Sequence, residues 1–290
     1  MFRILHVPIV WLIKRLPLSW GVFSFRAYNK LLKMTAPVFY ARTYFGAYLL
    51  CDPRDLIQRM ILHFGVWEPD VSRAIELNLM PGDTFVDVGA NVGYDTLLAA
   101  RIVGAAGRVV AIEASPTTFA LLTRNLALNE AANVRPVNAA VSDRRGKLDL
   151  HEPYEGNIGA ATTLASRGGR FVASVDAMPL EEILTAAEIT RLRLLKIDVE
   201  GAEPAILRGV LDRMSLYPVT MDILVEASPQ DDLAAWTEVF ERLRAAGFCA
   251  YEIENSYEIE WYLKWRRPAP MRKTDVVPRQ QQDILFTRRG

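Results

Sequence analysis

The chain of 290 residues is 51% hydrophobic, and its 34 Lys and Arg balance 34 Asp and Glu to a formal net charge of zero. That is enough chain for one large α/β domain with additions or for two small ones, and the composition is that of a folded protein. Neutrality removes the electrostatic ground for a general nucleic-acid binder, and Cys51 and Cys249, far apart and without CxxC or Cys/His spacing, argue against a disulfide framework or a zinc module.

The charge is unevenly spread. From Met1 to Cys51 there are seven Lys or Arg and no Asp or Glu, so a basic arm precedes an acidic body. The apolar run at 4–13 contains His6 and Pro8 and is too short to span a bilayer. Export is therefore not expected, and the expected location is the cytoplasm, at the inner membrane surface if the arm is an anchor. Trp11, Trp20, Phe23 and Phe25 interleave with Lys14, Arg15, Arg26, Lys30 and Lys33. Two readings fit residues 1–50: a helical arm lying on anionic lipid, or a helical layer packed on the main domain, which is preferred.

One main α/β domain is expected from 51 to 290, with helices at its N-terminal side. The stretch 41–55 alternates like a strand or hairpin, and 56–79 reads as two helices divided by Gly65 and Pro69. From the strand that opens 85–100 and ends in a glycine turn, apolar runs at 108–114, 133–141, 192–200, 219–227, 248–254 and 283–289 alternate with helical patterns, as in a doubly wound, mostly parallel sheet with helices on both faces. Ser115 and Pro116 signal a helix start, and 231–247 opens on acids and closes on Gly247. The looser stretch 146–179 reads as an insertion with a hairpin and a loop above the sheet.

Ligands of open α/β sheets bind beyond the carboxyl ends of the strands, and here those ends are acidic: Asp87, Glu113, Asp143, Asp198 with Glu200, and Glu226. Asp87 stands just before the glycine turn Gly89, Ala90, Asn91, Val92, Gly93, where a dinucleotide would bring its pyrophosphate; the turn also lacks the full GxGxxG spacing. S-adenosylmethionine brings an ammonium, a sulfonium and a ribose diol instead. Asp87 could attract the ammonium, the following helix N-terminus the methionine carboxylate, and Glu113 both ribose hydroxyls. Each acid taken singly also fits a helix-capping role.

The stretches VDVGANVGYDTLLAA, VVAIEASPTTFALLTRNLALN, NAAVSDRRGKLDL, NIGAATTL and LLKIDVEGAEPAILRG resemble, in order, the motifs of the FkbM-type S-adenosylmethionine-dependent methyltransferases. The resemblance runs from about residue 65 to 289 and leaves the first 48 or so residues outside it. It implies a Rossmann-like, class I methyltransferase sheet of seven strands with an antiparallel last strand, and O-methylation of hydroxyls on sugars, glycolipid precursors or secondary metabolites. By that likeness Asp87, Gly89, Asn91, Gly93 and Glu113 line the cofactor pocket, flanked by Ala90 and Ala114, with Ser142 and Asp143 near the adenine. Tyr94 either stacks near the donor or faces the core.

Methyl transfer needs alignment of acceptor oxygen, methyl carbon and sulfur, and a sugar hydroxyl must also lose its proton. A strand period of two puts Lys196, Asp198 and Glu200 on one face. Asp198, with Glu200 or Glu226, could be the base while Lys196 holds the alkoxide or forms an internal ion pair; or Asp198 and Glu226 could hold a divalent cation, the less favoured reading. His151 is a further candidate proton acceptor, whereas His63 beside Phe64 and Trp67 reads as packing. The basic, aromatic stretch 262–273 is a candidate substrate lid or anion contact. The rival functions are an RNA methyltransferase and a non-catalytic S-adenosylmethionine-binding module; the acceptor and the oligomeric state are left open.

Overall fold

A computed structural model describes residues 12, 13, 15–35, 38–152, 170–199, 201–264 and 269–289. Glu200, the NIGAATTL stretch and 265–268 of the basic stretch lie outside these residues. The chain opens with helix α1 (Leu18–Thr35) and a hairpin of β1 (Phe39–Arg42) and β2 (Tyr48–Cys51). Two helices follow, α2 (Leu56–Phe64) and α3 (Pro69–Asn78). Asp55 caps the first through the Gln58 amide, and Gly65 closes it in the left-handed region at φ 68°, a conformation that glycine adopts without Cβ strain.

The main body alternates as the apolar pattern demands: β3 (Thr84–Val88), α4 (Tyr94–Val103), β4 (Arg108–Ile112), α5 (Pro116–Leu128) and β5 (Val134–Val137). Ser115 caps α5 by accepting from the Thr118 amide, with Pro116 in the first turn. A three-stranded side sheet is built from β6 (Ala140–Val141), β7 (Gly146–Glu152) and β8 (Arg170–Met178). The chain continues through α6 (Leu180–Ile183), α7 (Ala186–Thr190), β9 (Leu192–Ile197), α8 (Glu203–Asp212), β10 (Asp222–Ala227), α9 (Leu233–Ala245), β11 (Cys249–Ile253), α10 (Ile259–Lys264), β12 (Arg272–Thr274) and β13 (Gln282–Thr287).

The large sheet has the order β12-β11-β13-β10-β9-β3-β4-β5. The run from β10 to β5 is parallel, and β13 enters antiparallel between β10 and β11. It is Rossmann-like, with the expected seven strands and one short strand more. That addition, β12, comes from the stretch 262–273: Arg272 pairs there with Glu252, while Tyr262 and Leu263 are buried in α10.

Alternation along the strands divides the core in two. Phe85, Leu194, Leu224 and Leu285 face α1 to α5 in one cluster. Val86, Leu195, Ile223 and Phe286 face α8 and α9 in the other, against Leu207, Trp236 and Phe240. Helix α1 belongs to the first layer through Phe25 and Leu32, and His63 packs there against the Phe25 ring and meets Asn29. No helix among the described residues is long and apolar enough to cross a membrane.

Candidate active site

The carboxyl ends of β3, β4 and β9 frame a cleft lined by Val88, Gly89, Asn91, Glu113, Asp198 and Ala202, with Ile57 of α2 and Leu150 of β7 closing its sides. It is partly open to solvent at its mouth. The glycine turn is fixed from below, since Gly89 and Ala90 both donate to the Ile112 carbonyl. Gly89 has φ 86°, and a Cβ there would lie 1.8 Å from the Asp198 carbonyl oxygen. Only glycine lets these two turns meet, and the narrow floor they form is shared by both sides of the cleft.

Glu113 follows β4 directly. The amides of Asn91 and Ser115 donate to its two carboxylate oxygens at 2.9 and 2.8 Å, which aims the group at the glycine turn. Burial pushes its carboxyl up to about 7 in spite of those two bonds. Helix α4 follows Gly93, which has no side chain to cap it; the buried Asp87 carboxylate instead accepts from both the hydroxyl and the backbone amide of Thr96 in its first turn.

Beneath the floor lies a charged row. Asp87 and Lys196 are register partners across β3 and β9, and both are buried. The Lys196 ammonium lies 2.9 Å from Asp198 Oδ2 and 3.4 Å from Asp95. Burial alone would lower this lysine, yet Asp198, Asp95 and Asp87 together hold it protonated well above its ordinary range. Burial also raises the acids, Asp95 to about 6 and Asp87 in direction. The row continues into Glu226 and Asp283, which are register partners across β10 and β13. Asn255 donates to Asp283 at 2.7 Å and to Glu68 at 3.0 Å, and Tyr257 donates to Glu226 at 2.7 Å. Burial pushes Asp283 to about 7 and Glu68 well above the usual carboxylate range.

The sequence-derived candidates thus separate. Gly89, Asn91, Glu113, Ala114 and Asp198 come together around one cleft. Asp87 does not line it: its carboxylate is wholly buried beneath the floor and accepts from the Thr96 hydroxyl. Tyr94 belongs to the core, edge-on to Phe45 with its hydroxyl 3.2 Å from Ser72, because the first turn of α4 faces inward there. Ser142 and Asp143 border an adjoining open groove that shares Val141 and Ala202 with the cleft. Strand β9 ends at Ile197, so Asp198 stands in the turn beyond it and reaches Lys196 from there. His151 is apart from this group: its neighbour Leu150 lines the cleft, and its own ring sits edge-on to Phe171.

Glu68, Asp95, Asn255, Tyr257, Asp283 and the cleft-lining Ile57 were not singled out by sequence. The signal for Asp283 was the antiparallel last strand, whose start rather than its end reaches this rim. Among the described residues, no group of three or more His, Cys, Asp or Glu is arranged to hold a metal ion.

Residues 87–249, from the buried acid of β3 to the start of β11, match the family model of the methyltransferase FkbM domain. The chain belongs to the FkbM methyltransferase family. Within or near that family it is 30% identical over 164 residues to methyltransferase sdnD of Sordaria araneosa, a match covering 46% of this chain and 62% of that protein. It is 30% identical over 200 residues to the 31-O-demethyl-FK506 methyltransferase FkbM of Streptomyces tacrolimicus, covering 59% and 75%. It is 26% identical over 165 residues to the hexuronic acid methyltransferase AglP of Haloferax volcanii, covering 57% and 65%. The chain therefore spans just under two thirds of the length of the first and third of these relatives.

Proposed function

We propose that this chain transfers a methyl group from S-adenosylmethionine to a hydroxyl of a sugar, glycolipid precursor or secondary metabolite. The observation that carries the reading is the meeting of Glu113 and Asp198 across the Gly89 floor in one cleft. A carboxylate fixed by two amides suits a ribose diol, and the acidic row below suits a ligand bearing positive charge. When bound, S-adenosylmethionine supplies a methyl group made electrophilic by the sulfonium.

The chain's own groups then have separable tasks. Glu113 and the glycine turn hold the nucleoside, Lys196 fixes the Asp198 carboxylate through Oδ2, and the half-buried Asp198 receives the acceptor's hydroxyl proton. Glu226, bonded by the Tyr257 hydroxyl, does not line the cleft itself and sits on the neighbouring strand β10. Two relatives name the chemistry of their acceptors, one a hexuronic acid and one a 31-O-demethyl compound, and both suit hydroxyl methylation here.

Calorimetry with S-adenosylmethionine and with NAD tests the cofactor. Micromolar binding of the first is expected, and tighter binding of NAD would overturn the assignment. Turnover of labelled methyl donor against pooled sugars, lipid-linked glycans and RNA then reads the acceptor class, with RNA as the only methylated pool overturning it.

A further inference from the structure

Helix α1 carries two apolar faces, of which one is buried against the other described residues and the other is exposed. Its inner face, Gly21, Phe25, Asn29 and Leu32, is buried against the domain. Its outer face presents Trp20, Phe23, Ala27, Leu31 and Met34 to solvent, with Trp20, Phe23 and Met34 exposed by 66, 69 and 78%. The steps of three and four residues gather these side chains within roughly 80° of arc on the helix. Arg26, Lys30 and Lys33, all exposed, lie along one flank of this stripe, with Arg26 3.9 Å from Glu260 of α10, and the first 51 residues hold no acid.

Soluble surfaces seldom expose such a continuous aromatic and aliphatic stripe without a partner for it. The flanking charge narrows the partner. A second copy packed antiparallel across the stripe would bring one basic flank against the other, whereas a surface of anionic headgroups meets both the apolar stripe and the cations. The helix is 18 residues long, about 27 Å, and is not apolar enough to cross a bilayer. We infer that the outer face of α1 docks this protein on an anionic lipid surface, with the helix lying in the headgroup plane and its inner face fixing the domain above it. This goes beyond the methyl-transfer reading and does not depend on it.

The test is flotation of the full chain with phosphatidylcholine vesicles containing roughly 30 mol% phosphatidylglycerol, and with phosphatidylcholine alone. Recovery with the anionic vesicles is expected, with loss in about 0.5 M salt. Lys30→Glu with Lys33→Glu should cut binding at least about 25-fold, from about fivefold for each lysine, and Trp20→Ser, Phe23→Ser and Met34→Ser together should abolish it. These exposed positions leave the thermal midpoint unchanged, and Val219→Ser, at an exposed loop position before β10, should float like the parent. Undiminished flotation of both variants, or no recovery of the parent with either vesicle, would overturn the inference. So would a dimer that the triple variant makes monomeric, which would assign the stripe to a second copy.

Discussion

The Lys196 ammonium bridges Asp198 at 2.9 Å and Asp95 at 3.4 Å, and through this contact the strand beneath the cleft determines where the Asp198 carboxylate points. Removing the cation leaves buried acids without a counter-charge. Lys196→Met is expected to destabilise the protein by about 3–5 kcal/mol, the usual consequence of breaking a buried pair from one side. Thermal unfolding reads this directly, and Asp95→Asn in the same background should restore part of the loss. A midpoint unchanged by Lys196→Met would show that the row is not held by this lysine.

Asp198→Asn keeps the shape of the turn and removes the carboxylate proposed as proton acceptor. Turnover should fall by about 10²–10⁴, while S-adenosylmethionine affinity measured by calorimetry stays within about threefold, since Glu113 and the glycine turn are untouched. A variant retaining full activity would transfer the role to another group on the acceptor side.

Glu113 gives cofactor binding a pH dependence. Its carboxyl is pushed up to about 7 by burial, and only the ionised form can accept from both ribose hydroxyls while keeping its two amides. Affinity should therefore rise with pH and level off above about 7, being roughly tenfold weaker at about pH 6 than at about pH 8. Glu113→Gln should bind weakly at both and lose the slope. A slope that survives in the variant would assign the titration elsewhere.

Asp283 makes the opposite kind of statement about stability. Its carboxyl sits near 7 in the folded chain, raised first by burial, against an ordinary value near 4 when unfolded. The stabilisation is complete below the unfolded value and is lost as pH rises through the folded one, because the unfolded state releases its proton first. Asp283→Asn cannot ionise and can still face Asn255. Its melting temperature relative to the parent should climb by several degrees between about pH 5 and about pH 8, as scanning calorimetry would show.

Gly89→Ala should fail at the floor of the cleft. The residue has positive φ, and its Cβ would fall 1.8 Å from the Asp198 carbonyl oxygen, so the two turns must part. Loss beyond the roughly 1–3 kcal/mol of a strained backbone position is expected, together with loss of cofactor binding. Normal binding by a stable Gly89→Ala protein would refute the shared floor.

Much of this site was legible as sequence because period-two alternation and strand-end position are local properties. Glu113, Asn91 and Asp198 could be placed at the rim from the strands that carry them. Asp87 also sits at that level of the sheet, but position along a strand does not say which way a side chain turns, and a facing lysine on β9 draws it under the floor. Asp283 was hidden for a geometric reason: β13 runs against its neighbours, so its first residues reach the rim that other strands reach with their last. Ile57 came from a helix outside the repeating unit, where only tertiary packing brings it to the cleft. Tyr94 follows the glycine turn directly, yet its contacts with Phe45 and Ser72 are long-range and left no trace in spacing.

The insertion of β13 between β10 and β11 also sets an order of assembly. Residues 282–287 are made after almost everything they touch, yet they occupy an interior place in the sheet. During synthesis, β10 and β11 must wait with facing edges unpaired until this strand leaves the ribosome, exposing them to wrong pairing. A chain shortened by the last ten residues would leave an open slot in the middle of the sheet and would part Asp283 from its register partner Glu226.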